Sequence, residues 1–276
     1  MQWPRVDLHC HSNLSDGALS PQDLVALAQD RKVDMLAITD HDNIDCYNVI
    51  DRPADGLKII TGTELSTTWR NIGIHIVGLN MDLTNSTLLQ GIDYQTKARA
   101  LRAQEIDRKL EDLGFSNCLE GARRYSSGNQ IGRPHFAQYL VEIGAVSNMQ
   151  QAFKRYLGAG KAGDIKQQWA DLGDVISWIR SAGGVAVLAH PTKYNMTRTK
   201  LCQLLEDFVQ LGGEAMEVIS GSQTNAITES MAKLCRQFDL LASCGSDFHA
   251  PSQPWAALGM APKLPEHLTP VWTRWQ

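Results

Sequence analysis

The chain has 276 residues, 43% hydrophobic and 20% charged, with a formal net charge of −4, which is ordinary for a globular protein large enough to bury a core without staples. The acidic balance argues against a protein that coats duplex DNA, which would carry a basic face, and leaves open small nucleotides and short strand ends. No apolar run approaches the ~20 residues of a membrane helix. The six cysteines form no C-x-x-C pair, and no signal peptide opens the chain, so free thiols in a reducing cytoplasm are expected.

Residues 6–9 read as a strand. Ser20-Pro21-Gln22-Asp23 opens a helix: Ser20 caps, Pro21 fits the first turn, and Asp23 suits the positive end. Strands are expected at 35–39, 57–61 and 72–79, with a short helix at 43–50. This alternation predicts a mainly parallel sheet with crossover helices. Residues 86–157 change texture. Helical spacing at 88–113, 136–143 and 149–157 is broken by Gly132-Arg133-Pro134-His135, and no strand pattern appears. A helical insertion over 85–163, closed by a glycine-rich return loop at 158–163, is therefore expected between two parts of one body, 1–84 and 164–276. The alternation then resumes, with helices at 172–182, 201–211 and 227–238 and strands at 185–189, 215–219 and 241–244. About seven strands separated by helices fit a closed or nearly closed α/β barrel.

The histidines carry the sharpest signal. His9, His11, His41, His75, His135, His190 and His249 are read at or just after strand ends, and His267, in the tail, stays unplaced. Such ends are where catalytic groups gather in α/β folds. In His9-Cys10-His11, alternation puts two imidazoles on one face and Cys10 on the other. Asp247-Phe248-His249 repeats the device with one carboxylate. Asp16, taken alone, is an ordinary turn residue. Glu64, at a strand end, can bridge two cations as imidazole cannot. Mixed imidazole and carboxylate ligation suits zinc, manganese or iron better than an all-oxygen magnesium site.

Val6-Asp7-Leu8-His9-Cys10-His11-Ser12, Ile38-Thr39-Asp40-His41-Asp42, Ala189-His190-Pro191 and Gly245-Ser246-Asp247-Phe248-His249 resemble the successive motifs of the PHP (polymerase and histidinol phosphatase) family. The resemblance implies a distorted (β/α)7 barrel and two or three divalent ions, manganese first, with zinc, iron or magnesium as alternatives. It implies His9, His11, Glu64 and Asp247 around a first ion; Glu64, His75 and His190 around a second; and Asp16, His41 and His249 around a third. Asp40, outside that set, is expected to orient a histidine ligand through its ring N–H.

The insertion, Gly132-Arg133-Pro134-His135 and Gly160-Lys161 are most similar to the branch acting on nucleoside 3′,5′-bisphosphates and on the 5′ ends of short RNA. Phosphate chemistry points to Arg133, whose planar fork fits phosphate oxygens, and to Lys161, a point charge, as substrate-binding residues. His135 is expected beside them, as the proton donor or as a donor that orients the substrate, with Arg133, His135 and Asp247 in catalysis. Ala162-Gly163-Asp164 departs from that branch, where a proline and a tyrosine would follow Lys161. Trp69 and Trp169 could stack a base, although packing is the commoner fate of such rings. The alternatives are a histidinol-phosphate or other small phosphomonoester phosphatase, a true exonuclease, and a non-catalytic metal-stabilised module.

Overall fold

The computed structural model describes residues 4–51, 56–128, 130–165 and 168–275. In chain order the elements are β1 (Val6–Asp7), α1 (Pro21–Asp30), β2 (Met35–Leu36), α2 (Cys46–Val49), β3 (Lys58–Ile59), β4 (Gly62–Trp69) and β5 (Ile72–Leu79). Helices α3 (Ser86–Glu111), α4 (Cys118–Arg123), α5 (Arg133–Glu142) and α6 (Met149–Ala152) follow, the last running into a π-helical turn at Phe153–Leu157. Then come α7 (Leu172–Ser181), β6 (Val185–Leu188), α8 (Arg198–Gln210), β7 (Ala215–Ser220), α9 (Asn225–Gln237) and β8 (Leu241–Gly245). The Ser20 side chain accepts from the Asp23 N–H and starts α1 as its residue types dictate.

Two sheets form, β1-β2-β3 and β4-β5-β6-β7-β8. The pairing is mainly parallel, as expected, at β1-β2, β2-β3, β6-β7 and β7-β8; the exceptions are β4 with β5 and β5 with β6, which pair antiparallel. β4 had not been foreseen as a separate strand. It is buried along nearly its whole length, so it shows no polar–apolar alternation. The hairpin turn is made by Arg70 and Asn71, both at positive φ (46° and 65°), which matches the twist of the flanking strands.

Backbone hydrogen bonds join the sheets at both seams. Leu8 N donates to Cys244 O at 3.1 Å and Asp247 N to His9 O at 2.8 Å. On the other side, Glu64 N donates to Thr39 O at 3.2 Å and Asp42 N to Glu64 O at 2.9 Å. With β3 leading straight into β4, this circuit is consistent with a distorted seven-stranded barrel. The buried Asp7 carboxylate stitches one seam, accepting from Ser246 N at 2.8 Å and Gly259 N at 2.6 Å.

The main core lies between the five-stranded sheet and helices α7, α8 and α9, and includes Ile76, Val187, Ile179, Leu205 and Phe208. Helices α3 to α6 close on an apolar cluster of their own, among them Ile106, Leu110, Phe136 and Leu140. All six cysteines are free thiols. Among the described residues no helix is long and apolar enough to cross a membrane.

Candidate metal centre

β1 and β2 are only two residues long, because the chain beyond them leaves the ladder to present side chains. After β1, His9 and His11 point the same way, their Nε2 atoms 3.1 Å apart. Cys10 points into the core and donates to Ala37 O. The end of β8 approaches so closely that a Cβ on Gly245 would lie 2.3 Å from His9 Cβ, so only glycine fits there.

Glu64, on β4, stands at the centre. Its Oε1 lies 2.7 Å from His75 Nδ1 and 2.8 Å from His190 Nε2. Its Oε2 lies 3.2 Å from both His9 Nε2 and His11 Nε2, and 3.1 Å from His41 Nδ1. Asp247 Oδ1 is 3.5 Å from His9, 3.3 Å from His11 and 3.6 Å from His249. Asp16 lies 3.4 Å from His249 and 3.7 Å from His41.

Four overlapping sets have ligand atoms within 4.8 Å of one another: His9–His11–Glu64, His9–His190–Asp247, His41–Glu64–His75 and His11–Asp16–His41–His249. The structure thus brings together all nine residues singled out as ligands, with a different partition. His11 also reaches the Asp16 set, and His190 also groups with His9 and Asp247.

The electrostatics fit cations. The buried atoms without a hydrogen-bond partner include His11 Nδ1, Asp16 Oδ1, His41 Nδ1, Glu64 Oε2 and His190 Nδ1. Leaving such atoms unsatisfied costs about 1–3 kcal/mol each, and here they concentrate in one place. Burial opposes charge on Glu64, Asp16 and Asp247, yet the surrounding histidines hold all three carboxyls well below the usual range. Burial likewise opposes charge on His9 and His11. Glu217, Glu64 and Asp247 outweigh it at His9, and Asp247 and Glu64 push His11 up to about 10. The carboxylates therefore demand positive charge, which divalent ions would supply by displacing those protons.

Glu217, on β7, is the feature the sequence reading missed. Its Oε1 lies 2.5 Å from His9 Nδ1, and its Oε2 accepts from His190 N at 2.6 Å. One buried carboxylate thus fixes the ring of one ligand and the backbone of another. The register shifts between Glu217 and Ile219, a bulge of the kind that re-aims side chains beside active sites. His190 and Asp247 have φ of 28° and 53°, a region that costs about 1–3 kcal/mol and persists only where the surroundings impose it. Glu217→Gln should keep the fold and weaken manganese binding about 10- to 100-fold, as loss of an orienting partner does. Calorimetric titration checks this, and unchanged affinity would show that Glu217 orients nothing.

Asp40 does not touch a histidine. It accepts from Ser12 N, Ser12 Oγ and Ser15 Oγ, so it orders the loop after His11 and corrects the expected role. Asp42 instead takes Arg99 and Gln95 of α3. His135 is the third residue of α5 rather than at a strand end. Its Nδ1 accepts from Gly132 N at 3.0 Å, so the neutral ring carries its proton on Nε2. Burial pushes its pKa down. Its hydrogen bond with Gly132 N anchors the start of the helix. Lys161 is exposed and lies outside the cleft described next.

A cleft of about 500 Å³ opens over the centre, lined by Asp16, His41, His75, His190, Arg133 and Lys193, and also by Arg99, Arg102 and Trp169. Arg99 and Arg102 each place their guanidinium carbon 5.2 Å from the Trp169 ring centre. Neither arginine was anticipated. Both fall on the buried stripe of α3 with Gln95, Ala98 and Ala103, and that register was the available signal. Trp69 is buried and donates to Asp207. A larger cavity of about 860 Å³, around Arg5, Met35 and Met260, contains none of the ligand residues.

The PHP domain model matches residues 7–180. The chain belongs to the PHP family. It is 44% identical over 272 residues to a 5′-3′ exoribonuclease of Haemophilus influenzae, covering 98% of each chain. It is 39% identical over 273 residues to a 3′,5′-nucleoside bisphosphate phosphatase of Chromobacterium violaceum, covering 97% of this chain and 95% of that one. A solved structure from the same organism, of a protein termed an amidohydrolase with sulfate bound and no metal, superposes with a TM-score of 0.91 at 38% identity over 98% of this chain and 95% of that one. As a PHP protein the chain is a phosphoric ester hydrolase.

Proposed function

We propose that the chain hydrolyses the 3′-phosphate ester of nucleoside 3′,5′-bisphosphates and, by the same step, removes 5′-nucleotides from short RNA. The observation that carries this reading is the convergence of Arg99, Arg102 and Arg133 in the cleft beside the ligand cluster. Burial lowers the pKa of Arg102 well below the usual value, and its neighbours Arg133 and Arg99 lower it further. Guanidiniums do not lose their protons at neutral pH; Asp42 lies beside Arg99 and Asp164 beside Arg133, so three guanidiniums face two carboxylates and an anion would balance the third. A 5′-phosphate on these arginines puts the 3′-linked phosphorus over the ligand cluster. The insertion, through α3 and α5, then forms one wall of the substrate site. The names of the relatives in Haemophilus influenzae and Chromobacterium violaceum, an exoribonuclease and a bisphosphate phosphatase, support the same pair of substrates.

Two or three divalent ions, manganese first, held by the nine ligand residues would activate water near neutral pH and neutralise the phosphate oxygens. Water adds to phosphorus and the P–O3′ bond breaks. A nucleotide with a free 3′-hydroxyl leaves, together with inorganic phosphate or an RNA that keeps a 5′-phosphate. Lys193 pairs with Asp247 Oδ2. Burial opposes its charge, but Asp247 outweighs it and raises its pKa, so Lys193 brings a fixed positive charge to the reacting phosphate. The free cysteines suit a reducing cytoplasm.

The test is a manganese-supplemented comparison of a 3′,5′-bisphosphate, a short 5′-phosphorylated RNA and histidinol phosphate. The first two should turn over, and histidinol phosphate should be at least about 100-fold poorer in kcat/KM because it offers nothing to the arginines. Preference for histidinol phosphate, or no hydrolysis at all, would overturn the reading.

A further inference from the structure

The ligand cluster faces two clefts. Besides the arginine-lined one, a cavity of about 420 Å³ is bounded by Asp247 and His249, by the end of β7 (Ser220) and the loop after it (Ser222), and by Trp255. Lys193 lines both, so it marks the saddle between them. Asp16, His41, His75 and His190 face the first cleft, and Asp247 and His249 face the second. A nucleoside bisphosphate, anchored on the arginines with its 3′-phosphate at the cluster, leaves the second cleft with nothing to hold.

The second cleft has features of a nucleoside site. Trp255 is 62% exposed, a large ring left in water. Its backbone is nevertheless fixed, because Ser222 N donates to Trp255 O at 2.6 Å. Gly221 packs so closely that a Cβ there would lie 2.8 Å from the same oxygen. An exposed aromatic on a rigid base is a stacking platform, and every nucleobase has a face to offer it. Ser220 lines the same cleft, and its buried Oγ has no hydrogen-bond partner.

We infer that this second cleft is the subsite for the nucleotide on the far side of the attacked phosphate, and that Trp255 stacks its base. The inference rests on the reaction proposed above and deepens it: the enzyme is built for a strand that crosses the cluster. In RNA the attacked phosphorus carries the next nucleoside through its O5′, whereas in a bisphosphate that position holds a bare oxygen. The two substrates therefore differ only in what enters this cleft.

The experiment compares Trp255→Ala and Trp255→Phe with the wild type in manganese, on a 5′-phosphorylated dinucleotide and on a 3′,5′-bisphosphate. Trp255→Ala should raise KM for the dinucleotide about ten-fold, the scale of one lost base–aromatic stack, with kcat held. Both bisphosphate constants should stay at wild-type values, and Trp255→Phe should recover most of the loss. Unchanged dinucleotide KM in Trp255→Ala, or equal damage to both substrates, overturns the subsite while leaving the reaction intact. A wild type inactive on both substrates overturns the reaction and the subsite with it.

Discussion

Glu64→Ala should lower kcat/KM by at least about a thousand-fold with manganese present, equivalent to roughly 4 kcal/mol of transition-state stabilisation, while the circular dichroism spectrum is retained. The reason is geometric. Glu64 Oε1 faces His75 and His190, and its Oε2 faces His9, His11 and His41. Without it the cluster loses the carboxylate that touches five of its histidines. Glu64→Gln is the sharper variant. It keeps the shape, but its amide must turn an N–H toward one histidine group and leave that group without an anionic oxygen. It should therefore be nearly as inactive as alanine. Near-normal rates in either variant at saturating manganese would mean that the cluster is not the reaction centre.

Asp42→Ala should destabilise the protein by about 3–5 kcal/mol, the cost of stranding a buried charge. Asp42 is fully buried and accepts from Ser66 N of β4, Gln95 Nε2 of α3 and Arg99 Nε, while Arg99 Nη2 lies 2.6 Å from Oδ2. It ties the sheet to the insertion and holds Arg99 at the wall of the cleft over the ligand cluster. Its φ of 48° adds a backbone penalty for alanine, which tolerates that region less well than aspartate. The double variant Asp42→Ala/Arg99→Met removes both charges and should regain much of the stability, but not the activity, because the cleft has then lost a guanidinium. Urea unfolding of the two single variants and the double variant gives the coupling. Strictly additive losses would show that the pair is not a unit.

Most ligand residues were legible because their chemistry is concentrated in short motifs at element ends, where alternation fixes the facing of His9 against Cys10; His75, expected at a strand end, lies in the middle of β5. The start of α1 was legible because Ser20, Pro21 and Asp23 each satisfy a separate local requirement. β4 was not, since a strand buried on both faces, with polar residues such as Thr63, Ser66 and Thr67 inside, has no period to read. Glu217 sits in the middle of an otherwise apolar strand, and what it contacts is decided by a bulge and by residues 208 positions away. Arg99 and Arg102 resembled a solvated helix face until α3 was seen packed. Asp40 and Asp42 flank His41, and sequence could not show that one turns to the serines and the other to α3.

The seam at Asp7 has a consequence for synthesis. That carboxylate is held by amides of Ser246 and Gly259, 239 and 252 positions downstream, and Asp247 and His249 are among the last ligand residues to be made. Translation proceeds from the amino end at about 5–20 residues per second. A partly made chain therefore has its early imidazoles but neither the closing strand nor its carboxylate. Such a chain on the ribosome has no completed ligand cluster.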